Sequence, residues 1–315
     1  MPVRYTQVSN SILDAVHDTP LLELEDGIFA KCEFLNPSGS IKARIATYII
    51  ERAEREGLIK PGDTIVEATS GNTGNAFSMV AAVKGYRMIV VMPEGLSSER
   101  VAISRAFGAE VLLTGNFHVN EALERARELG SRPGFFFPGQ FESEWNVQEN
   151  REIFGPEILA QLPDGRVPDA FVHGVGTGGT LIGVGQAFRA VNPDVRLFAM
   201  EPSESRTLLC GEVDLHGIEG ISDGFVPGIF ARHRDQVSDF LSVSSTDAVA
   251  EMRKLARNRG LLCGPSSGAH LIAARRIREL YPELKTVVTV LADKGEKYLN
   301  DFYMSAAEPA SPPLH

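Results

Sequence analysis

Short and almost uninterrupted apolar segments recur along the chain, and a segment with helical periodicity follows most of them. Strands rich in valine, isoleucine and leucine are buried on both faces, as in a parallel sheet that is covered by helices. The sequence therefore predicts an α/β protein with two open, mostly parallel twisted sheets and helices on both faces. The apolar segments are IFAKCEFL (28–35), TIVEATS (64–70), RMIVVMP (87–93), EVLLT (110–114), DAFVHGV (169–175), VRLFAMEP (195–202) and TVVTVLAD (286–293).

Composition argues against several classes of protein. The chain has 315 residues, of which 43% are hydrophobic, and its formal net charge is −10. An acidic chain without a basic stripe does not neutralise phosphates, so we expect no nucleic-acid partner. No apolar run has the length of a membrane span, MPVRYTQVSN lacks the apolar core of a signal peptide, and the three cysteines have neither metal-ligand nor disulfide spacing. We expect a cytoplasmic protein with no membrane partner and no metal site.

A glycine-rich turn, TSGNTG (69–74), follows one predicted strand. Sites in open parallel sheets lie at the carboxyl ends of strands, and the amides at the start of the next helix attract anions. Thr69, Ser70, Asn72 and Thr73 add short polar side chains, so this turn is a candidate carboxylate site. Ordinary capping of the helix by one of these side chains is the alternative.

A second turn, GVGTGGT (174–180), has glycines in G-x-G-x-x-G spacing, and Glu201 stands at the end of the next strand. This pattern is typical of a dinucleotide site, where the carboxylate would bind the ribose, and it would indicate a NAD-dependent dehydrogenase. The competing interpretation is a phosphate-binding loop made of backbone amides, with Thr177 and Thr180 at a helix start. Both interpretations are open on this segment alone.

Lys42 stands in the first turn of a predicted helix, directly after the turn-forming residues NPSGS (36–40). The positive end of the helix dipole disfavours a cation at this position. One interpretation is that the side chain is exposed and water screens the penalty. The other is that the amine works uncharged, as a nucleophile or an imine, because burial lowers the pKa of an amine.

These features, with the serine-rich turn CGPSSGAH (263–270), together match the needs of pyridoxal phosphate (PLP). This cofactor requires an amine for its aldehyde, an anion site for its phosphate and a partner for its pyridine nitrogen. NPSGSIKARI, EATSGNTG, MPEGLSSER, GVGTGGTLIGVG, ISDGFVP and GPSSGA resemble the cysteine synthase (O-acetylserine sulfhydrylase) and cystathionine β-synthase family. The resemblance implies PLP-dependent fold type II, the tryptophan synthase β-like fold, with the active site in an interdomain cleft. It favours the phosphate loop over the dinucleotide site.

The resemblance assigns roles to individual residues. Lys42 matches the catalytic lysine that binds the cofactor and acts as general base, and Ser266 matches the partner of the pyridine nitrogen. Asn72 matches the residue bonded to the ring hydroxyl. The residues that match the phosphate loop are Gly176, Thr177, Gly178, Gly179 and Thr180. Those that match the binding site of the substrate α-carboxylate are Thr69, Ser70, Asn72, Thr73 and Gln140.

The resemblance also implies a smaller, mobile substrate-binding domain of residues 43–147 and a larger PLP-phosphate-binding domain of residues 1–42 and 148–315. The implied reaction is β-replacement on a β-substituted L-serine through an aminoacrylate, most directly O-acetyl-L-serine and sulfide giving L-cysteine and acetate. A serine-based cystathionine β-synthase, an amine-using diaminopropionate-type synthase and a PLP-dependent dehydratase are alternatives on the same scaffold. The expected partners are a small-molecule amino acid, a small nucleophile and a second copy of the chain in a homodimer.

The segment GIEGISDGFVPG (217–228) departs from the family pattern, with Ser222 and Asp223 where cysteine synthases tend to have Gly-Ala. It contains no basic residue, while Glu219 and Asp223 add negative charge. We therefore expect the dianion O-phosphoserine to be disfavoured relative to O-acetylserine or serine. A second departure is FESEWNVQENREIFGPEIL (141–159). His173, at the end of an apolar strand, is expected to be a packed residue.

Overall fold

The computed structural model describes residues 8–95, 98–116 and 119–304, with the side chain of residue 116 excepted. It contains a six-stranded sheet with the strand order β1-β2-β10-β7-β8-β9. Strands β1 and β2 are antiparallel, and the other four pairs in this sheet are parallel. The strands are β1 (Leu21–Glu25), β2 (Ile28–Cys32), β7 (Ala170–Gly174), β8 (Arg196–Pro202), β9 (Asp239–Val243) and β10 (Val287–Leu291).

A second sheet has four strands in the order β5-β4-β3-β6, and all its pairs are parallel. Its strands are β3 (Thr64–Ala68), β4 (Arg87–Glu94), β5 (Glu110–Asn116) and β6 (Phe135–Phe136). The prediction of two mostly parallel sheets is confirmed. Strands β1, β6 and β9 lie outside the predicted apolar segments. Strand β1 mixes charge with leucine, β6 has only two residues, and β9 forms the opposite edge of its sheet from β1.

Helices cover both sheets. In β2 the side chains alternate between two cores: Ala30 belongs to a cluster with α11, and Phe29 belongs to a cluster with α6 and α7. Burial of both faces explains why these strands are continuously apolar. The helices are α1 (Lys42–Arg55), α2 (Asn72–Lys84), α3 (Ser98–Ala106), α4 (Val119–Gly130), α5 (Glu144–Glu149), α6 (Gly155–Gln161), α7 (Gly179–Arg189), α8 (Thr207–Cys210), α9 (Gly228–His233), α10 (Ser245–Arg259) and α11 (Pro265–Leu280).

The strand order places several turns of the sequence side by side. Strands β2, β10 and β7 are neighbours, so the segments that follow their carboxyl ends meet at one edge of the six-stranded sheet. The turn after β3, in the other sheet, approaches the same edge: the Asn72 amide at the start of α2 contacts Asp293, which follows β10. Over the described ranges, no helix is long and apolar enough to cross a membrane, and no cluster of side chains has the composition of a metal site.

Candidate active site

One cavity brings together most of the predicted site residues. Those that line it are Lys42, Thr69, Ser70, Asn72, Thr73, Gln140, Gly176, Thr177 and Ser266. Gly178, Gly179 and Thr180 do not line this cavity, which is called the inner cavity below. They form the start of α7, which follows the lining residues Gly176 and Thr177 in the chain. Segments that follow strands of both sheets contribute residues, so the cavity lies between the two sheets.

Lys42 is the first residue of α1, and its side chain faces the inner cavity. The start of the helix is held to the sheet by the Ile41 amide, which donates to the Ala292 carbonyl at 2.9 Å. Burial lowers the pKa of the Lys42 amine, and the carboxylates of Asp223 and Asp293 oppose that shift. The side chain is only partly exposed and its amine is destabilised in the charged form, so the solvent-exposed interpretation is wrong.

The glycine loop presents backbone amides without any cation of its own. The Thr177 hydroxyl accepts from the Gly179 amide at 3.2 Å and from the Asn146 amide nitrogen at 3.0 Å, which orients the loop. Gly178 has a φ of +88°, a conformation that favours glycine. A Cβ at Gly176 would lie 2.5 Å from the Gly220 carbonyl oxygen, so glycine is required there by space. These amides, at the start of an eleven-residue helix, suit a phosphate.

The turn between β3 and α2 is joined to Gln140, which is distant in sequence. The Thr73 hydroxyl donates to Gln140 Oε1 at 2.6 Å, and Gln140 Nε2 donates to the Ala68 carbonyl at 2.8 Å. Beneath them, buried Glu67 accepts from the backbone amides of Gln140 and Ala68, while burial raises its pKa to about 8. The structure therefore brings the predicted carboxylate turn and Gln140 together. Sequence reasoning missed Glu67, although it lies only two residues before the turn.

The nitrogen and the oxygen of the Asn72 side-chain amide both have hydrogen-bond partners. Its Nδ2 donates to Asp293 Oδ2 at 2.7 Å, and its Oδ1 accepts from Lys297 Nζ at 2.5 Å. Burial lowers the pKa of Lys297 to about 8. Asp293 also accepts from the Tyr298 hydroxyl at 2.6 Å. The sequence contained one signal for Asp293, its position as the last residue of the predicted strand 286–293, but nothing there connected it to Asn72.

Arg100, on α3, is a second group that sequence reasoning missed. It donates to the Ser70 carbonyl at 2.8 Å and to the Tyr298 hydroxyl at 3.0 Å, and it forms an ion pair with Glu219. Its side chain is buried and lines the inner cavity. The segment 217–228 contains no basic residue, as the sequence analysis states, but the fold brings the Arg100 guanidinium to it from α3.

Asp223 stands between the inner cavity and a neighbouring outer pocket. It lines both, as do Ser70, Arg100 and two residues of the 217–228 segment. Burial raises the pKa of Asp223, while a hydrogen bond from the Ser70 hydroxyl opposes this shift. Ser222 holds a φ of +52°, which is rare for a residue other than glycine. The outer pocket is lined by Ser70, Arg100, Asp214, Leu215, His216 and Glu219 to Gly224.

Glu201 does not face the glycine loop as a ribose ligand would. Its buried carboxylate accepts from the backbone amides of Leu208 and Leu209, at 2.8 and 3.2 Å. These bonds satisfy the start of the short helix α8. The dinucleotide interpretation of Glu201 is therefore wrong, because its oxygens are committed to this turn.

Comparison with known proteins agrees with this geometry. Residues 12–293 match the family model described as pyridoxal-phosphate dependent enzyme. The chain belongs to this family. Its cofactor is pyridoxal phosphate, so the prediction of a PLP-dependent enzyme is confirmed and the NAD interpretation is wrong.

Relatives within the family narrow the activity to cysteine synthase-like chemistry. Cysteine synthase of Staphylococcus aureus is 42% identical over 300 residues, which cover 92% of this chain and 96% of the relative. The structure of an O-ureido-L-serine synthase has a TM-score of 0.90 at 39% identity, with 97% and 98% of the two chains covered. The O-acetylserine-dependent cystathionine β-synthase of Helicobacter pylori has a TM-score of 0.89 at 34% identity, with 95% and 100% covered. The fold type II prediction is confirmed.

The cavity fits PLP on its own chemistry. It combines a half-buried lysine, a loop of backbone amides with glycines at positions where a side chain would clash, and Ser266 at the start of α11. Among the described residues, buried polar atoms without a hydrogen-bond partner include Asp293 Oδ1 and His173 Nε2, and both residues line this cavity. Unpaired buried atoms of this kind indicate a ligand that completes the site.

Proposed function

We propose that this enzyme catalyses β-replacement on O-acetyl-L-serine with sulfide, giving L-cysteine and acetate. The observation that carries the proposal is the convergence in one cavity of half-buried Lys42, the amide loop after β7 and the Thr69–Thr73 turn with Gln140. The similarity to cysteine synthase over nearly the whole chain supports the same reaction.

Each part of the cofactor has a counterpart among these residues. Lys42 would hold it covalently through the ε-amine, the amides of residues 176–180 would bind the phosphate, and Ser266 would contact the pyridine nitrogen. Asn72, held between Asp293 and Lys297, would donate to or accept from the ring hydroxyl. When bound, the cofactor supplies an electron sink for the bond that breaks at the substrate Cα.

The substrate carboxylate would bind at the Thr69–Thr73 turn. Amides and hydroxyls there are neutral donors at the start of a thirteen-residue helix, so a carboxylate is favoured by the helix dipole. Gln140 fixes the Thr73 hydroxyl, and Arg100 fixes the Ser70 carbonyl. With the carboxylate held in this way, Lys42 takes the proton from Cα, which requires a neutral amine, and burial favours that form.

The choice of donor follows from the charges around the outer pocket. Glu219 and Asp223 are carboxylic side chains, and Glu219 forms an ion pair with Arg100. The guanidinium also donates to Tyr298 and Ser70, and its Nε has no hydrogen-bond partner among the described residues. A dianionic phosphate leaving group would therefore meet two carboxylic side chains and a guanidinium already paired with one of them, which favours O-acetylserine.

A second candidate is a β-replacement that uses an N–H or O–H nucleophile in place of sulfide. Two observations favour it: similarity to an O-ureido-L-serine synthase across 97% of the chain, and an outer pocket whose acidic residues disfavour an anionic nucleophile. Asp214, Glu219 and Asp223 contribute this negative charge, and His216 adds a hydrogen-bonding ring. An amine acceptor falls within this candidate class. A serine-based cystathionine β-synthase is a separate alternative, because its acceptor, homocysteine, reacts through a thiol.

A product assay that crosses donors with acceptors distinguishes these functions. Holoenzyme is incubated with O-acetylserine, serine or O-phosphoserine, each with sulfide, homocysteine, hydroxyurea or a small amine, and products are measured by mass spectrometry. We expect O-acetylserine with sulfide to give the highest kcat/KM. A higher kcat/KM with an N–H or O–H acceptor would favour the second candidate function over the reaction with sulfide. Comparable turnover of O-phosphoserine would contradict the donor assignment, and keto-acid release without any acceptor would indicate a dehydratase.

We further infer a domain arrangement and an assembly from the family. The smaller domain would comprise residues 43–147, and the larger would comprise 1–42 and 148–315; each contains one of the two sheets. The enzyme would act as a cytoplasmic homodimer. Sedimentation velocity of the holoenzyme tests the assembly, and a monomer at micromolar concentration would contradict it.

A further inference from the structure

His173 is the last residue but one of β7, directly before the glycine loop. Its side chain is 8% exposed, and its Nδ1 lies 2.7 Å from the Gly174 carbonyl oxygen. A carbonyl oxygen only accepts, so Nδ1 carries the proton of this ring. Burial, His270 and Lys42 all lower the pKa of His173 well below its ordinary value, so the imidazole is neutral. Nε2 is consequently a hydrogen-bond acceptor and not a donor.

The neighbouring His270 does not supply the missing proton. Its ring centroid lies 4.6 Å from that of His173. His270 Nε2 accepts from the Gly174 amide at 2.7 Å, and its Nδ1 donates to the Val290 carbonyl at 2.6 Å. Both nitrogens of His270 are therefore occupied. Within the described chain His173 Nε2 has no hydrogen-bond partner, although it is buried.

An unpaired buried acceptor destabilises a protein unless a ligand or water satisfies it. His173 lines the inner cavity and lies between two of its functional parts. In sequence it adjoins the phosphate loop, and in space its ring lies against that of His270 at an interplanar angle of 40°. His270 follows Ser266 by one turn of α11. This is the side of the cavity where Ser266 would contact the pyridine nitrogen. The expectation that His173 is merely packed is therefore incomplete.

We propose that His173 Nε2 is a hydrogen-bond acceptor for the ring-nitrogen side of PLP and that, with Ser266, it keeps the pyridine nitrogen protonated. A serine hydroxyl alone can serve a protonated or an unprotonated nitrogen, because it both donates and accepts. His173 only accepts. In one arrangement, His173 Nε2 accepts directly from the ring N–H. In the other, the Ser266 hydroxyl donates to His173 Nε2, and the Ser266 oxygen accepts from the ring N–H. Both arrangements need the proton on the ring nitrogen.

The proposal rests on the proposed contact between Ser266 and the pyridine nitrogen. In this proposal His173 is a positioning residue that keeps a proton on the pyridine nitrogen. Its presence distinguishes this site from one in which serine alone faces that nitrogen. A neutral imidazole holds a ring proton less strongly than a carboxylate would, so the electron sink would be intermediate in strength.

Nitrogen NMR of holoenzyme loaded with PLP that carries ¹⁵N in the ring tests the proposal directly. We expect the wild-type signal at neutral pH near the value of a protonated pyridine. His173→Leu should move the signal toward the unprotonated value, and His173→Gln, which keeps an acceptor near the position of Nε2, should restore much of the wild-type shift. His173→Asn, which keeps only the bond to Gly174, should resemble His173→Leu.

The possible outcomes separate this proposal from the assignment of Ser266. A wild-type signal at the unprotonated value overturns it without any variant, so the test survives if a variant fails to fold. A correctly folded, PLP-loaded His173→Leu protein with an unchanged signal also overturns it. Ser266→Ala should change the shift in either case. An unchanged shift in Ser266→Ala would contradict the Ser266 contact itself, and with it the basis of this inference.

Discussion

Asp293 Oδ2 accepts from Asn72 Nδ2 at 2.7 Å, which links the end of β10 in one sheet to the start of α2 beside the other. The carboxylate also raises the pKa of Lys42 against the effect of burial. One side chain thus holds the residue proposed to contact the cofactor ring and influences the protonation of the proposed base.

Asp293→Asn is expected to separate these two effects. Loss of the negative charge removes an influence that raises the pKa of Lys42, so the acid limb of the kcat–pH profile should move to lower pH. The oriented charged hydrogen bond to Asn72 is also lost, which should reduce the plateau kcat roughly 10-fold. Steady-state assays over a range of pH measure both. The exposed residue Asp194 offers a control, Asp194→Asn, which should leave the profile unchanged.

Lys42→Ala should abolish covalent attachment of the cofactor. Removal of the general base should lower kcat by roughly 10²–10⁴-fold. Borohydride reduction followed by peptide mass spectrometry should find the added mass on residue 42 in the wild-type protein and on no residue of the variant. The exposed Lys60→Ala protein should behave like wild type. Wild-type protein that stays colourless with PLP and gains no mass would contradict the proposed role of Lys42.

Arg100→Lys should weaken both the fold and the substrate site. A lysine cannot replace the contacts with Ser70, Tyr298 and Glu219 at once, because it lacks the planar fork of the guanidinium. The lysine keeps the positive charge, so the expected cost is that of buried hydrogen bonds left unmade, about 1–3 kcal/mol. Urea unfolding measures this loss, and KM for O-acetylserine should rise about 10-fold. Arg125→Lys, on an exposed surface, is the matched control.

Glu149 should make stability depend on pH. Its carboxyl group is buried beside Arg44, both oxygens lack hydrogen-bond partners among the described residues, and burial raises its pKa to about 8. The folded protein therefore keeps a proton that the unfolded chain has released above its ordinary pKa of 4.5. The free energy of unfolding should fall as pH rises from 5 to 8, by up to about 1.4 kcal/mol per pH unit from this group.

Urea titrations of wild type and Glu149→Gln at pH 6, 7 and 8 measure this dependence. The neutral amide cannot titrate, so the stability of the variant relative to wild type should increase with pH. Glu152→Gln, which changes an exposed carboxylate three residues away, should run parallel to wild type. Parallel curves for Glu149→Gln and wild type would show that Glu149 does not hold the proton in the folded protein.

The sequence by itself was sufficient to predict the alternation of strands and helices, the glycine turns and the position of Lys42 at a helix start. These features depend on local periodicity and backbone conformation, which neighbouring residues impose on one another. Strands β1, β6 and β9 were missed because edge strands are only partly buried and lack a long continuous apolar pattern.

Only the tertiary structure decided which side chains meet at the cavity. The strand order β2-β10-β7 brings Lys42, Asp293 and His173 to one edge, although they are far apart in the chain. Arg100 comes to the same site from α3, and Glu201, which matched a dinucleotide spacing, turned its carboxylate to the amides of α8. Hydrogen bonding and burial at such sites depend on packing between distant segments, and no local pattern of residues encodes them.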